Sequence, residues 1–422
     1  MTALRDRALA KGVVIVGAGQ AGGRAAEALR AAGFAGSVTL IGNEVERPYE
    51  RPSLSKEMLC DISSETITWL HSPDFYREQD IDLRLGIAVA SIDRAGSAVV
   101  LSDGSRLDYG VLLLATGSRA RRLDIPGAEH CAYIRSLEDS RSLRDRLQAG
   151  RHLVVVGAGF IGLEVAAAAI ERGCRVTVVE VGSAPLGRVA PPLLQDFYTT
   201  LHARHGVSFR FGTQVVAIRG EDGAHRVETD TGERIEADLV VAGIGAIPND
   251  ELAMAAGLGC DRGIRVDAFG ATDDPSIFAA GDVARHFNPL LDRQILLESW
   301  QNAQDQAIAI SRNLASAEVP QPYAAIPWFW SDQYGANLQI YGMLADAGEL
   351  VTRGDPGSSS WIVAQFTQDR IQFAAGINAA RDLRPVRELM KLGASVSQAA
   401  FADTTTKTAD LLRIAKSSQV AA

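Results

Sequence analysis

The chain has 422 residues, 47% apolar and 22% charged, with a net charge of −9. These are the proportions of an ordinary globular protein with room for two or three buried cores, and the negative balance argues against a general nucleic-acid binder. No apolar run approaches the roughly 20 residues of a membrane span and Met1 to Lys11 lacks the apolar segment of a secretion signal, so a cytoplasmic protein with no membrane partner is expected.

In chain order, the first signal is the apolar run Val13-Val14-Ile15-Val16, the turn Gly17-Ala18-Gly19-Gln20-Ala21-Gly22 and an Ala-rich helical stretch. Strand, G-x-G-x-x-G and helix together predict a dinucleotide site: one glycine for the sharp turn, one for close approach of a pyrophosphate, one for helix packing on the strand. The next strand, Val38 to Ile41, runs into Gly42-Asn43-Glu44, where Asn43 and Glu44 both stand as candidates for the ribose contact. The unit closes at Tyr109 to Leu114, followed by the small-residue turn Ala115-Thr116-Gly117-Ser118.

A second copy follows: Leu153-Val154-Val155-Val156, then Gly157-Ala158-Gly159-Phe160-Ile161-Gly162 and another Ala-rich helix. Its second strand, Val176 to Val179, ends at Glu180. A carboxylate there accepts from a ribose 2′-OH and repels a 2′-phosphate, so NADH is favoured over NADPH. This copy also closes on a strand and a small turn, Ala237 to Val241 and Ala242-Gly243-Ile244-Gly245, which indicates an internal duplication of fold. Two dinucleotides on one chain suggest electron transfer between them. A strand from Thr272 to Ala280 then ends at Gly281-Asp282, and from Pro327 the pattern alternates at Leu338 to Gly342, Trp361 to Phe366 and Ile371 to Gly376, with a helix near Val386 to Leu392. That is an α+β domain. A polar, Ala-rich surface helix is expected after about 405. Cys60, Cys131, Cys174 and Cys260 show neither CxxC nor metal-ligand spacing and read as buried thiols, so no metal is expected.

Taken as a set, these motifs resemble the FAD-dependent, NADH-utilising ferredoxin reductases of bacterial oxygenase systems. The matching pieces include Arg47-Pro48-Tyr49-Glu50-Arg51-Pro52-Ser53-Leu54-Ser55-Lys56, Gly159 to Glu164, Phe278 to Asp282 and Pro327-Trp328-Phe329-Trp330-Ser331-Asp332-Gln333-Tyr334. The resemblance spans residues from about 12 to 400. It implies an α/β fold with two Rossmann-like dinucleotide-binding domains, glutathione-reductase-like, plus the C-terminal α+β domain. The FAD-binding domain is split over 12–114 and 245–325, the NAD-binding domain covers 115–244, the C-terminal domain 326–405 and the tail 406–422.

By the same resemblance Lys56 sits at the flavin and polarises it, Asp282 beside Gly281 holds the ribityl hydroxyls, and Arg135 and the backbone at Val89 contact the flavin cofactor. Arg51, Ala115, Thr116, Gly117, Trp300 and Trp330 join that set. Ile161 and Glu164 lie beside the nicotinamide, Glu164 meeting its carboxamide or the lysine. Lys56 and Glu164 are the two residues expected to act at the reacting centre.

NADH gives up two electrons as a hydride, an iron–sulfur centre accepts one at a time, and a flavin handles both. The expected partner is therefore a [2Fe–2S] ferredoxin that feeds a cytochrome P450 or a Rieske-type oxygenase. Arg285, Arg293, Arg353, Arg381, Arg384, Arg387 and Lys391 are candidates for docking an acidic ferredoxin, the run Arg381 to Lys391 being the densest. A rubredoxin reductase, an NADH oxidase or peroxidase, and a non-catalytic NADH-responsive flavoprotein are the competing readings. Oligomeric state is open.

Overall fold

The apolar runs ahead of the two Gly-rich turns become strands whose apolar residues are all buried, because a strand covered on both faces has no solvent side and need not alternate. They lie in a computed structural model that describes residues 2–60, 66–221 and 224–420. The chain divides into two compact units. One comprises Met1–Arg51, Ile67–Arg119 and Ala246–Ala325; the other comprises Pro52–Thr66, Ala120–Gly245 and Ile326–Ala422.

In the first unit a five-stranded sheet runs in the order Ile277–Ala279, Val111–Leu114, Val13–Val16, Val38–Ile41, Ile81–Arg84, with every pairing parallel. Val13–Val16 is central, and the chain leaves it on opposite sides toward its two neighbours. The crevice at its carboxyl end is therefore a topological switch point, where open α/β sheets bind ligands. Helix Gln20–Ala31 packs against helix Trp300–Ala315 through small residues, Ala21, Ala25 and Ala26 facing a core that includes Ala303 and Ala307. A three-stranded antiparallel meander, Val89–Asp93, Ala98–Leu101 and Arg106–Asp108, is inserted before the closing strand.

The second unit repeats the plan: Ser208–Arg210, Arg175–Val179, His152–Val156, Leu239–Ala242 and Cys131–Ala132, again all parallel, with the strand before the turn in the centre. Its C-terminal part is a five-stranded antiparallel sheet in the order Trp328–Gln333, Ala336–Gly342, Arg370–Ile377, Trp361–Thr367, Glu349–Arg353. The period-2 alternation of strands divides its side chains between two cores. Trp361, Val363, Phe373 and Ala375 join the core of the nucleotide-binding part, while Ile362, Ala364, Phe366 and Ala374 pack with Leu383, Val386 and Leu389 of helix Ala380–Lys391.

Two sequence expectations change here. The tail forms helix Thr408–Val420 and is a surface helix with an anchored face, since Leu411 and Ala415 are buried in the core under helix Ala380–Lys391; residues 421–422 lie outside the described residues. Arg353 is no docking residue. It is buried, and its guanidinium donates to the carbonyls of Phe401, Asp403 and Thr406 at 2.6–2.8 Å, tying the sheet edge to the loop before the last helix.

Each unit also buries a histidine, His286 in the first and His202 in the second, and burial pushes both down to about 4. Because the unfolded chain takes up protons near pH 6.5 where the folded one does not, stability is present above that pH and is lost as pH falls toward 4. Urea midpoints are expected to drop over that interval, and His286→Phe is expected to reduce the slope of the first unit's transition. An unchanged slope would refute the contribution of His286.

Candidate functional site

In the first unit, helix Gln20–Ala31 starts at Gly19 with no side-chain cap, which leaves its first N–H groups to a ligand. The glycines of the turn divide their roles sterically. A Cβ at Gly22 would stand 1.8 Å from the Gly17 carbonyl oxygen, whereas one at Gly19 would meet nothing nearer than Arg51 Nη2 at 3.9 Å. Open space beside a helix N-terminus with a guanidinium at its edge fits a pyrophosphate. Burial works against the charge on Arg51, and Tyr49, Glu44 and Asp282 more than offset it, raising Arg51 above its ordinary value. The contacts are tight: Arg51 Nη2 to Glu44 Oε1 at 2.6 Å, Arg51 Nη1 to the Tyr49 hydroxyl at 3.0 Å, and that hydroxyl donating to Glu44 Oε2 at 2.6 Å. Glu44 is therefore engaged through both oxygens, while Asn43 is exposed.

Of the other predicted residues of this unit, Ala115, Thr116 and Gly281 lie directly against the same turn. Gly281 backs onto Ala21, where an added Cβ would sit 3.0 Å from the alanine's own, and its N–H donates to Gln306 at 2.9 Å. Asp282 accepts from the Ser118 hydroxyl at 3.0 Å. Ala115 is buried, its carbonyl oxygen 2.1 Å from where a Cβ on Gly17 would lie. Thr116 and Asn249 clamp each other by two hydrogen bonds of 2.7 and 2.9 Å, and the Asn249 N–H donates to the Gly117 carbonyl. Trp300 opens its helix behind the cap Ser299 and hydrogen-bonds Glu50. Val89 begins the meander and is half-buried.

In the second unit Gly159 again starts an uncapped helix, Phe160–Glu171. A Cβ at Gly162 would lie 2.1 Å from the Gly157 carbonyl oxygen, but at Gly159 the nearest neighbour is the Gly243 oxygen at 3.8 Å, so the middle glycine once more borders open space. Glu180 accepts from the Ala158 N–H and the Gly182 N–H, each at 2.7 Å. Its carboxylate is thereby fixed at the turn, with lone pairs left for a ribose hydroxyl. Ile161 is exposed, whereas the helix residues that follow it, Gly162 to Ala169, are buried.

Three residues below Ile161 the chain buries a carboxylate. Glu164, 5% exposed, takes the Lys56 ammonium at 3.3 Å, the Ser55 hydroxyl at 2.5 Å and the Ser331 hydroxyl at 2.6 Å. Burial raises its carboxyl above the usual range, and Lys56, Ser331 and Ser55 act against that rise. Lys56 Nζ also lies 5.3 Å from the Trp330 ring centroid, and Phe160 packs on Phe329 at 4.1 Å. The lysine is carried into this unit on Pro52–Thr66, pinned by the Ser140 hydroxyl on the Leu54 carbonyl and by Arg172 on that of Leu59. Arg135 belongs to this unit too, its N–H bonded to Asp139 beside the capping box that Ser136 and Asp139 form.

Sequence reasoning did not single out Ser55, Ser331, Gln333 or His202. Ser55, Ser331 and Gln333 sit inside the two most specific segments, and the alternation of a strand would have put Ser331 and Gln333 on one face with Phe329. His202 carries no local signal.

Residues 11–307 match the family model for pyridine nucleotide-disulphide oxidoreductases. The chain belongs to that family. Its residues 328–412 match the model described as reductase C-terminal, so the antiparallel part of this oxidoreductase is a recognised module. The chain is 45% identical over 396 residues to the ferredoxin–NAD(+) reductase component of the anthranilate 1,2-dioxygenase system of Burkholderia cepacia, covering 93% of this chain and 97% of that protein. It is 41% identical to putidaredoxin reductase of Pseudomonas putida over 87% of this chain and 88% of that one. Among solved structures, a chain of the covalent putidaredoxin reductase–putidaredoxin complex superposes with a TM-score of 0.91 at 37% identity, covering 96% of this chain and 98% of that chain.

Proposed function

We propose that this oxidoreductase takes electrons from NADH and delivers them singly to a [2Fe–2S] ferredoxin that supplies a cytochrome P450 or Rieske-type oxygenase. The observation that carries the reading is the pair of open Gly-rich turns in one chain, each at the switch point of its own parallel sheet, in a chain that matches a ferredoxin–NAD(+) reductase component over 97% of that protein's length. FAD, when bound, supplies the step from a two-electron donor to a one-electron acceptor.

In this reading Gly17, Gly19, Ala21 and Gly22 with Arg51 receive the FAD pyrophosphate, Glu44 or Asn43 its ribose, and the Ala115-Thr116-Gly117 turn with Gly281 and Asp282 the rest of its chain. The resemblance adds Val89, Arg135, Trp300 and Trp330 to the cofactor-binding set. Gly157, Gly159 and Gly162 receive the NADH pyrophosphate, Glu180 selects its unphosphorylated ribose, and Ile161 and Glu164 meet the nicotinamide side. Lys56 keeps Glu164 ionised, and no side chain is required to take a proton from the substrate. The domain division 12–114 with 245–325 for FAD, 115–244 for NADH and 326–405 for the C-terminal module is part of the same proposal.

Disulfide and peroxide chemistry is disfavoured by the state of Cys60, whose thiol burial and the neighbouring Glu171 push up to about 12, so that it is not a ready thiolate. Among the described residues no helix is long and apolar enough to cross a membrane. We place the protein in the cytoplasm, a location its four unbridged cysteines suit.

The basic face of helix Ala380–Lys391 is the docking surface this reading assigns to an acidic ferredoxin. Arg381 and Arg384 are exposed there, while Arg387 and Lys391 both lean on Glu388 at 3.2 Å. Reversing the charge at Arg381 and Arg384 is expected to cut kcat/KM for ferredoxin about tenfold at low ionic strength and to leave NADH-to-ferricyanide turnover unchanged; an unaltered ferredoxin rate would remove this surface. The function itself is tested by anaerobic rapid mixing of the flavin-loaded protein with NADH and then with [2Fe–2S] ferredoxins. Reduction by NADH without onward transfer to any of them would overturn it.

A further inference from the structure

Alternate residues of strand Trp328–Gln333 face the two helices of the nucleotide-binding part, Phe329 meeting Phe160 and Ser331 meeting Glu164 on Phe160–Glu171, and Gln333 meeting His202 on Pro192–Arg204. A continuous hydrogen-bond chain results. The Ser331 hydroxyl donates to Glu164 at 2.6 Å, Gln333 Nε2 donates to Ser331 Oγ at 3.0 Å, and His202 Nε2 stands 2.7 Å from Gln333 Oε1, with its Nδ1 3.5 Å from the Tyr334 hydroxyl. Exposure is 0% for Ser331 and His202, 3% for Gln333 and 5% for Glu164, so no bulk water competes for these groups.

We infer that His202 and Gln333 are positioning residues that hold Glu164 ionised, acting through Ser331. The placement of the protons requires this, and its value for catalysis rests on the role proposed above for Glu164. An ionised carboxylate has no proton to give, so Ser331 directs its only one at Oε1 and must itself accept from an N–H. That orients the Gln333 amide, whose oxygen then accepts from His202, which places the ring proton on Nε2. Every donor points toward Glu164, and the aligned dipoles reinforce one another. A proton on Oε1 would require the Ser331 hydroxyl, the amide and the imidazole tautomer all to reverse, and a proton on Oε2 would displace that of Ser55. Burial keeps His202 neutral, as the chain requires. Among the described residues, the other titratable groups facing this cluster are Lys56 on Glu164, Tyr198 beside Glu164 and Asp332, His205 beside His202, Tyr334 stacked on His205, and Glu171 facing Tyr334.

The consequence is a nicotinamide-side carboxylate whose acceptor form is favoured by its partners against the opposing effect of burial. Nitrogen NMR of the flavin-loaded wild-type protein at pH 7 is expected to show His202 as the neutral Nε2–H tautomer; an Nδ1–H or cationic ring overturns the inference. Infrared titration, with Glu164→Gln to identify the band, is expected to place protonation of Glu164 about one pH unit higher in Gln333→Leu and His202→Leu, a tenfold change in its ionisation constant. His202→Gln, which keeps an N–H at the Nε2 position, is expected to restore the wild-type titration. Superimposable titrations of wild type and Gln333→Leu, or of His202→Gln and His202→Leu, overturn the positioning role. KM for NADH against pH then reads the role of Glu164 separately: a tenfold rise per pH unit below the shifted midpoint supports it, and a flat profile in a variant whose infrared band has moved refutes that role alone.

Discussion

Replacing Lys56 by methionine is expected to lower the stability of the second unit by about 3–5 kcal/mol at pH 8, the range seen when one partner of a buried ion pair is removed. The side chains of Lys56 and Glu164 are 11% and 4% exposed, so the carboxylate left behind has little access to water, and among the described residues the Ser55 and Ser331 hydroxyls remain hydrogen-bonded to it. The loss depends on pH in a defined sense. Without Lys56 the folded carboxyl lies further above its unfolded value near 4.3, and such a group costs stability above the unfolded pKa, the cost growing until pH passes the folded one. The variant should therefore regain stability on going from pH 8 to pH 6. The double substitution Lys56→Met with Glu164→Leu should recover most of the deficit at every pH, because an apolar pair of similar volume replaces a buried ion pair at little cost. Urea unfolding of the four proteins at pH 6 and 8 decides it, and a deficit in Lys56→Met that does not shrink at pH 6 would contradict the coupling. Both single substitutions should also slow reduction by NADH, which the double substitution should not rescue.

Substituting Glu180 is expected to have the largest effect on cofactor choice. Its carboxylate accepts two backbone N–H groups at 2.7 Å and, in the proposed function, a ribose hydroxyl. Glu180→Ala leaves the Ala158 and Gly182 N–H groups without their acceptor and removes a hydrogen bond to a charged group, a loss of about 1.5–3 kcal/mol. The expected fall in kcat/KM for NADH is about ten- to a hundredfold. Glu180→Gln isolates the charge, since the amide oxygen still accepts from one N–H while the repulsion toward a 2′-phosphate is gone. NADPH turnover should rise in Glu180→Gln, with the turn itself disturbed less than in the alanine variant. An unchanged ratio of NADH to NADPH efficiency in both variants would remove Glu180 from the ribose site.

How much of this was legible beforehand follows from the range of the interactions. The two Gly-rich turns, their strands and Glu180 were readable because everything they need lies within about 25 residues: a β-branched strand, glycines at fixed spacing, and a carboxylate at the end of the next strand. The C-terminal sheet was readable from its alternation, even though both of its faces proved to be buried. Docking residues were read less well, since a surface arginine and one whose guanidinium is taken up by carbonyls look alike in sequence; Arg353 shows the difference.

The sequence by itself determined that two strand–turn–helix units exist and which local residues build each turn, since backbone geometry and strand periodicity are set by neighbours along the chain. Only the tertiary structure decided what surrounds Glu164. Its partners Ser55 and Ser331 stand 109 and 167 positions away, and His202 reaches it through Gln333. Such contacts are selected by burial, which makes a charge costly wherever it lacks partners and leaves open which distant segment supplies them.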